Sequence, residues 1–215
     1  MQFAEKNKSV VIFLDLDGPV LEGKHRHYSC YSAIINRYGG QPLDIDAYWD
    51  MKRSKIKRDV LLEKSGFQAL YSCFLDDWMK LIESPQYLKF DKLKPKAKET
   101  LVKWKQSNFK IVLVTMRQNR ENLINQLKQL GVFSLLDEII DCPPLRQNTK
   151  FEALKYYNFC KAIFIGDTEE DANTAKMLGI PFIGITNGLR TKELLNADLY
   201  FKEICQINLD ILENI

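Results

Sequence analysis

Two acidic groups stand two residues apart in Asp15-Leu16-Asp17-Gly18, directly after the apolar run from Val10 to Leu14. A second acidic set, Gly166-Asp167-Thr168-Glu169-Glu170-Asp171, follows Ala162-Ile163-Phe164-Ile165. Carboxylates gathered in one place repel one another and need a cation; an all-oxygen donor set favours Mg²⁺ over zinc. With that charge offset, Asp15 could attack a phosphoryl group, the chemistry of a carboxylate nucleophile that forms an aspartyl-phosphate. Asp17 could protonate the leaving oxygen and then activate water, and Gly18 lets the chain turn sharply. Phosphoryl transfer also needs partners for the remaining phosphate oxygens. Thr115, after Ile111-Val112-Leu113-Val114, suits that task, as does Lys150, which lies 17 residues before Asp167 and competes with Lys155 and Lys161 for the role.

These residues need elements to bring them together. Short β-branched runs at 9–14, 110–115, 138–141, 161–166 and 180–186, with a weaker one at 198–201, read as strands, mostly buried on both faces. Helical patterns at 96–106, 120–130, 150–157 and 169–178 lie between the later runs, two of them closed by Gly131 and Gly179. The alternation predicts an α/β fold, a Rossmann-like parallel sheet flanked by helices. The segment 21–93 breaks the rhythm: it offers helices at 28–38, 44–54, 58–64 and 69–83, turns at 39–42 and Pro85, and no convincing strand. It reads as a helical insertion, with residues 1–20 and 94–215 forming the catalytic core. In open α/β sheets ligands sit beyond the carboxyl ends of the strands, which is where Asp15, Asp17, Thr115, Arg117, Asp167 and Asp171 would converge.

The 215 residues are 46% hydrophobic, with 31 Lys+Arg against 28 Asp+Glu. That is globular composition and excludes disordered and collagen-like chains. A net charge of +3 is not the footprint of a nucleic-acid-binding domain, so a nucleic-acid partner is not the expectation, and the 52–58 run is the one stretch that would argue for it. The longest apolar run stops at Asp15, far short of the roughly 18 residues of a membrane span, and the Lys-bearing start lacks a leader's cleavage pattern; the reading is a cytoplasmic protein. Five scattered cysteines without C-x-x-C spacing read as free thiols. His25-Arg26-His27 reads as a surface loop, Lys92, Lys94, Lys96 and Lys98 as a solubilising linker, and Tyr48 and Trp49 as core of the insertion. Residues 52–58 carry five positive charges in seven positions; a solvated face is the default, and attraction of a substrate phosphate or carboxylate is the alternative. Lys52 and Arg53 are accordingly candidate substrate contacts, together with Gly18 and Arg117, and Arg26 is a further candidate for specificity if the insertion closes over the site.

Asp15-Leu16-Asp17-Gly18, Thr115, Lys150 and the Gly166 to Asp171 set, in that order, resemble the four motifs of the haloacid dehalogenase superfamily, in particular its phosphoglycolate-phosphatase-like members with a small α-helical cap. The resemblance implies that 21–93 is that cap. It also implies that Mg²⁺ is held by Asp15, Asp17 (through its backbone carbonyl), Asp167 and Asp171, and that Thr115 and Lys150 bind phosphate. Asp17 favours phosphatases or phosphomutases over dehalogenases, whose chemistry needs no such proton donor. The expectation is a Mg²⁺-dependent phosphatase acting on a small phosphorylated metabolite, with a phosphomutase or a non-catalytic phospho-ligand-binding protein as alternatives and the choice of monomer or homodimer open. One departure stands out: Pro19 follows Asp17-Gly18 where the family commonly has Thr, and it removes a hydroxyl and a backbone N–H.

Overall fold

The computed structural model describes residues 10–67, 69–142 and 147–214, so the leader-like start and the first residue of the 9–14 run lie outside it. The chain leaves β1 (Val11–Leu14), enters β2 (Leu21–Glu22) and passes through α1 (Lys24–Arg37), α2 (Ile45–Arg53), α3 (Arg58–Lys64), α4 (Tyr71–Leu81) and α5 (Pro85–Leu88). It returns through β3 (Lys92–Leu93), which pairs antiparallel with β2. Strand and helix then alternate through α6 (Ala97–Gln106), β4 (Lys110–Thr115), α7 (Arg120–Gln129), β5 (Glu138–Asp141), α8 (Thr149–Leu154), β6 (Ala162–Gly166), α9 (Glu169–Leu178), β7 (Phe182–Ile185), β8 (Leu199–Phe201) and α10 (Leu209–Asn214).

The six long-range strands form one parallel sheet in the order β5-β4-β1-β6-β7-β8. β1 is central, and its side chains alternate between two cores. Ile12 and Leu14 pack with Leu101 and Trp104 of α6, while Val11 and Phe13 pack with Leu154 of α8 and Ala175 of α9. Burial on both faces is why the run is uniformly apolar instead of alternating. Leu14 is level with Leu113 on one side and Ile165 on the other. The residues that follow β1, β4 and β6 therefore emerge at one edge, on either side of the point where the strand order reverses.

Helix starts follow from local chemistry. Asp44 accepts from the N–H groups of Asp46 and Ala47 at the start of α2, and Asn119 accepts from Asn122 N–H at the start of α7. Asp91 and Lys94, near β3, are buried, so Lys94 is no solubilising linker: its ammonium bonds Glu22 Oε2 at 2.9 Å and the Asn187 carbonyl at 2.7 Å. The β2/β3 ladder corrects the expectation of an insertion without strands, since two-residue strands carry no periodicity to read. Pro85 opens α5, using the first-turn position where a missing N–H costs nothing. His25, Arg26 and His27 lie in the first turn of α1, not in a surface loop. The inserted helices have a core of their own, with Ile34, Leu62 and Phe74 buried and the Tyr31 and Tyr48 rings stacked at 4.3 Å. No helix among the described residues is long and apolar enough to cross a membrane.

Candidate active site

Asp15 follows β1 and its N–H donates to the Ile165 carbonyl at 2.9 Å, which fixes it beside the end of β6. Asp167 follows β6. Asp171 sits in the first turn of α9, where it closes a reciprocal cap with Thr168: its Oδ2 accepts from the Thr168 N–H at 3.0 Å and hydroxyl at 2.7 Å, and from the Asp167 N–H at 3.1 Å. Its other oxygen, Oδ1, accepts from Lys150 Nζ at 2.5 Å, and the same ammonium donates to Asp15 Oδ1 at 2.5 Å. Capping and site chemistry thus use opposite oxygens of one carboxylate. Lys150, on α8, is only 2% exposed. Lys155 instead pairs with Glu152, and Lys161 with the Glu213 carbonyl, which leaves Lys150 as the lysine at the mouth of the sheet.

One ammonium does not balance the three acids. Burial pushes the Asp15 carboxyl up to about 7, Lys150 pulling against it and Asp171 adding to it. Burial, with Asp15 and Asp171 close by, also raises Asp167 well above the carboxylate range. Asp167 Oδ2 accepts from the Leu189 N–H, but its buried Oδ1 has no partner among the described residues. Asp15, Asp167 and Asp171 each offer an oxygen, all within 4.8 Å of one another. An orphaned buried carboxylate oxygen within a cluster of oxygen donors fits a hard divalent cation. Gly18, at φ +109°, and Gly188 both lie so close to Asp167 that a Cβ at either would overlap its carboxylate.

The Asp17 carboxylate is turned away from that cluster. Arg117 grips it through Nε and an Nη, each 2.7 Å from an oxygen, and Arg26 donates to Oδ1 at 2.7 Å. Burial works against its charge, but Arg117 and Arg26 outweigh burial and hold its carboxyl far below the usual range. Both arginines also bond Asp91, Arg26 at 2.8 Å and Arg117 at 3.1 Å, and Gln126 adds a third donor at 2.8 Å. Burial pushes the Asp91 carboxyl up while Arg26 draws it back. The result is an electroneutral quartet of two guanidiniums and two carboxylates joining α1, the β1 loop, the β3 approach and the β4 loop.

Thr115 is buried and lines a pocket of about 220 Å³ with Asp15, Asp17, Arg117 and Lys150. Lys52 lies outside that pocket, beside a cavity under the inserted helices. Arg53 is spent on carbonyls of the core, donating at 2.8 Å to both Thr186 and Gly188. The 52–58 run is therefore not a uniform solvated face: Arg53 is a strut, and Lys52 and Arg58 lie over Trp78. Sequence reasoning missed Asp91 and Glu83, and it set Arg26 in a surface loop as a candidate for specificity instead of in a buried ion-pair network. Arg26 shares the i, i+4, i+8 stripe of buried Cys30 and Ile34, a signal that could have placed it inward. Asp91 and Glu83 carry no such signal. Glu83, just after α4, accepts from the Gln118 and Asn119 N–H groups at 2.8 to 3.0 Å and ties the insertion to the start of α7.

A family model described as haloacid dehalogenase-like hydrolase matches residues 10–179. No curated protein sequence matches the chain significantly. Among solved structures, a predicted phosphatase from Clostridium acetobutylicum superposes with a TM-score of 0.76 at 19% identity, covering 96% of this chain and 100% of that one. A predicted phosphoglycolate phosphatase from Haemophilus somnus gives 0.74 at 16% identity, covering 97% and 99%. A predicted β-phosphoglucomutase from Thermotoga maritima gives 0.69 at 17%, covering 96% and 99%. At these identities the likeness is one of fold.

Proposed function

Because the chain belongs to the haloacid dehalogenase-like hydrolases, we propose that it is a Mg²⁺-dependent phosphatase that hydrolyses a small phosphomonoester through a phosphoryl group carried on Asp15. The observation that carries this reading is Lys150 bridging Asp15 and Asp171 at 2.5 Å each, beside the unpartnered Asp167 oxygen. Asp15, Asp167 and Asp171, with the Asp17 backbone carbonyl, would hold Mg²⁺, which supplies charge neutralisation for the incoming phosphate. Lys150 and the Thr115 hydroxyl bind the phosphate oxygens that do not react.

In the first step an Asp15 oxygen forms a bond to phosphorus as the ester P–O bond breaks, and the departing alcohol takes a proton from the Asp17 carboxyl. In the second, water attacks phosphorus, Asp17 takes the water proton, and the P–O bond to Asp15 breaks to release inorganic phosphate. Asp17 bound to Arg26 and Arg117 has no proton to give. Its carboxyl has to leave the guanidiniums before the first step, and Arg26 belongs to the inserted helices, so their movement couples to that release. Glu83 and Arg53 tether the inserted helices to the core, and closure of those helices over a bound ester would exclude bulk water from the reacting groups.

The test is phosphate release from a panel of phosphomonoesters with Mg²⁺ and with excess chelator. Mg²⁺-dependent accumulation of free phosphate is expected. An isomerised sugar phosphate without free phosphate would assign a mutase, and tight binding of esters without turnover would assign a non-catalytic binder.

A further inference from the structure

Next to the catalytic pocket lies a larger cavity of about 540 Å³, walled by α2, α3 and α4 and floored by Leu189 and Arg190 of the core. Trp78 and Leu189 line both cavities, so the two adjoin along those side chains. The wall of the larger one is aromatic. Phe74 and Trp78 stack with centroids 5.8 Å apart, and Tyr48 lies alongside. Lys52 Nζ stands 5.0 Å from the Trp78 ring centroid and Arg58 Cζ 5.5 Å from it. Lys55, Lys57 and Arg190 complete a cationic rim.

The negative charge available there is already committed. Glu169 pairs with Lys55 at 2.9 Å and with Arg190 at 2.8 Å, and among the described residues no carboxylate forms an ion pair with Lys52, Lys57 or Arg58. Like charges held together without counter-ions oppose one another. Burial, reinforced by Arg58 and Arg190, pushes the Lys52 ammonium down to about 7. Cations gathered on ring faces against their own repulsion suit an anion with a flat or apolar body, because such a ligand supplies the missing charge and covers the rings.

We propose that this cavity is a distal subsite of the substrate: Lys52 and Arg58 hold a second anionic group, carboxylate or phosphate, at the far end of a phosphomonoester whose apolar or aromatic body lies along Trp78. The assignment rests on the phosphomonoester reading above and narrows it to doubly anionic esters. It also explains why Lys52 and Arg58, at the two ends of the cation-rich 52–58 run, both stand over Trp78, which lines the two cavities.

Two measurements test it separately from the catalytic reading. The first compares kcat/KM for phosphomonoesters of graded chain length ending in a methyl, a carboxylate or a second phosphate. Charge-assisted contacts predict a preference of about 10- to 100-fold for one of the anionic ends at the best length. That ratio should collapse toward 1 in Lys52→Met and Arg58→Met, and Arg58→Glu should shift preference to an ammonium-ended ester. The carboxylate and phosphate series identify which anion is held. The second is calorimetric binding of terephthalate, a flat dianion with no phosphoryl group, to the full chain: binding weakened at least about 10-fold by Lys52→Met, in a variant whose melting temperature shows it folded, supports the subsite even if no ester is hydrolysed. Equal kcat/KM for all three ends in the wild-type chain, or terephthalate binding absent or unchanged by both substitutions, overturns it.

Discussion

Asp91→Asn removes one charge from the buried quartet and keeps its shape. The wild-type carboxylate accepts from Arg26, Arg117 and Gln126 at 2.8, 3.1 and 2.8 Å, with its side chain fully buried. The asparagine leaves two guanidiniums, both under 5% exposed, facing Asp17 alone. No cavity is created, so the effect is the lost charge together with the acceptor oxygen that the amide NH₂ replaces. Removing one partner of a buried ion pair costs about 3–5 kcal/mol. For a chain of this size each kcal/mol moves the melting temperature by about 2–4 °C, which gives a fall of roughly 6–20 °C. Thermal unfolding followed by circular dichroism reads it, and because the groups are buried the fall should persist at high salt. A double variant with Arg26→Gln should lose less than the sum of the two single losses. A shift below about 2 °C would refute the reasoning, since it is the result expected if Asp91 is already protonated and the quartet is not an ionic network.

Further consequences follow from the same contacts. Gly18→Ala would drive a Cβ into the Asp167 carboxylate from a backbone at φ +109°, so turnover should fall at least about 100-fold with loss of Mg²⁺ affinity, read by kinetics against Mg²⁺ concentration; unchanged affinity would contradict the placement of Asp167. Lys52, near 7 in the fold against 10.5 ordinarily, gives up its proton more readily folded than unfolded. The unfolded chain therefore binds more protons between those values, so this group makes stability rise with pH from about 7 upward and imposes its full penalty below 7. Lys52→Met should remove that slope, and melting temperatures that track wild type at every pH would count against it.

The sheet was legible because β1, β4, β6 and β7 are short apolar runs buried on both faces, and Val11 to Leu14 reads the same whichever face is considered; the edge strands β5 and β8 are partly exposed, and the β8 run was the weaker signal. The acids were legible for a related reason. Asp15 and Asp167 interrupt apolar runs at strand ends, and parallel topology brings such ends together without any further information. The arginines were legible only in part. Arg117 follows β4 and was placed at the sheet edge as a candidate substrate contact, but its grip on Asp17 and Asp91 was not readable and Arg26 read as surface loop, because a guanidinium bound for the interior looks like any surface arginine until its carboxylates are located. Asp91 illustrates the same limit, standing between Phe90 and Lys92 with nothing in its neighbours to mark it as the centre of a quartet. The 52–58 run shows the converse. Its charge density was plain, but only the folded arrangement assigns Arg53 to the Thr186 and Gly188 carbonyls after β7 and Lys52 to the Trp78 ring of α4.

The central claim is that Asp15 carries the phosphoryl group, and the most direct measurement is mass spectrometry of the chain quenched in acid during turnover of a phosphomonoester in Mg²⁺. The account predicts an added phosphoryl group on the peptide containing Asp15, absent from Asp15→Asn, which also releases no phosphate. Phosphate release at the wild-type rate by Asp15→Asn, or an adduct on any other residue, would contradict it.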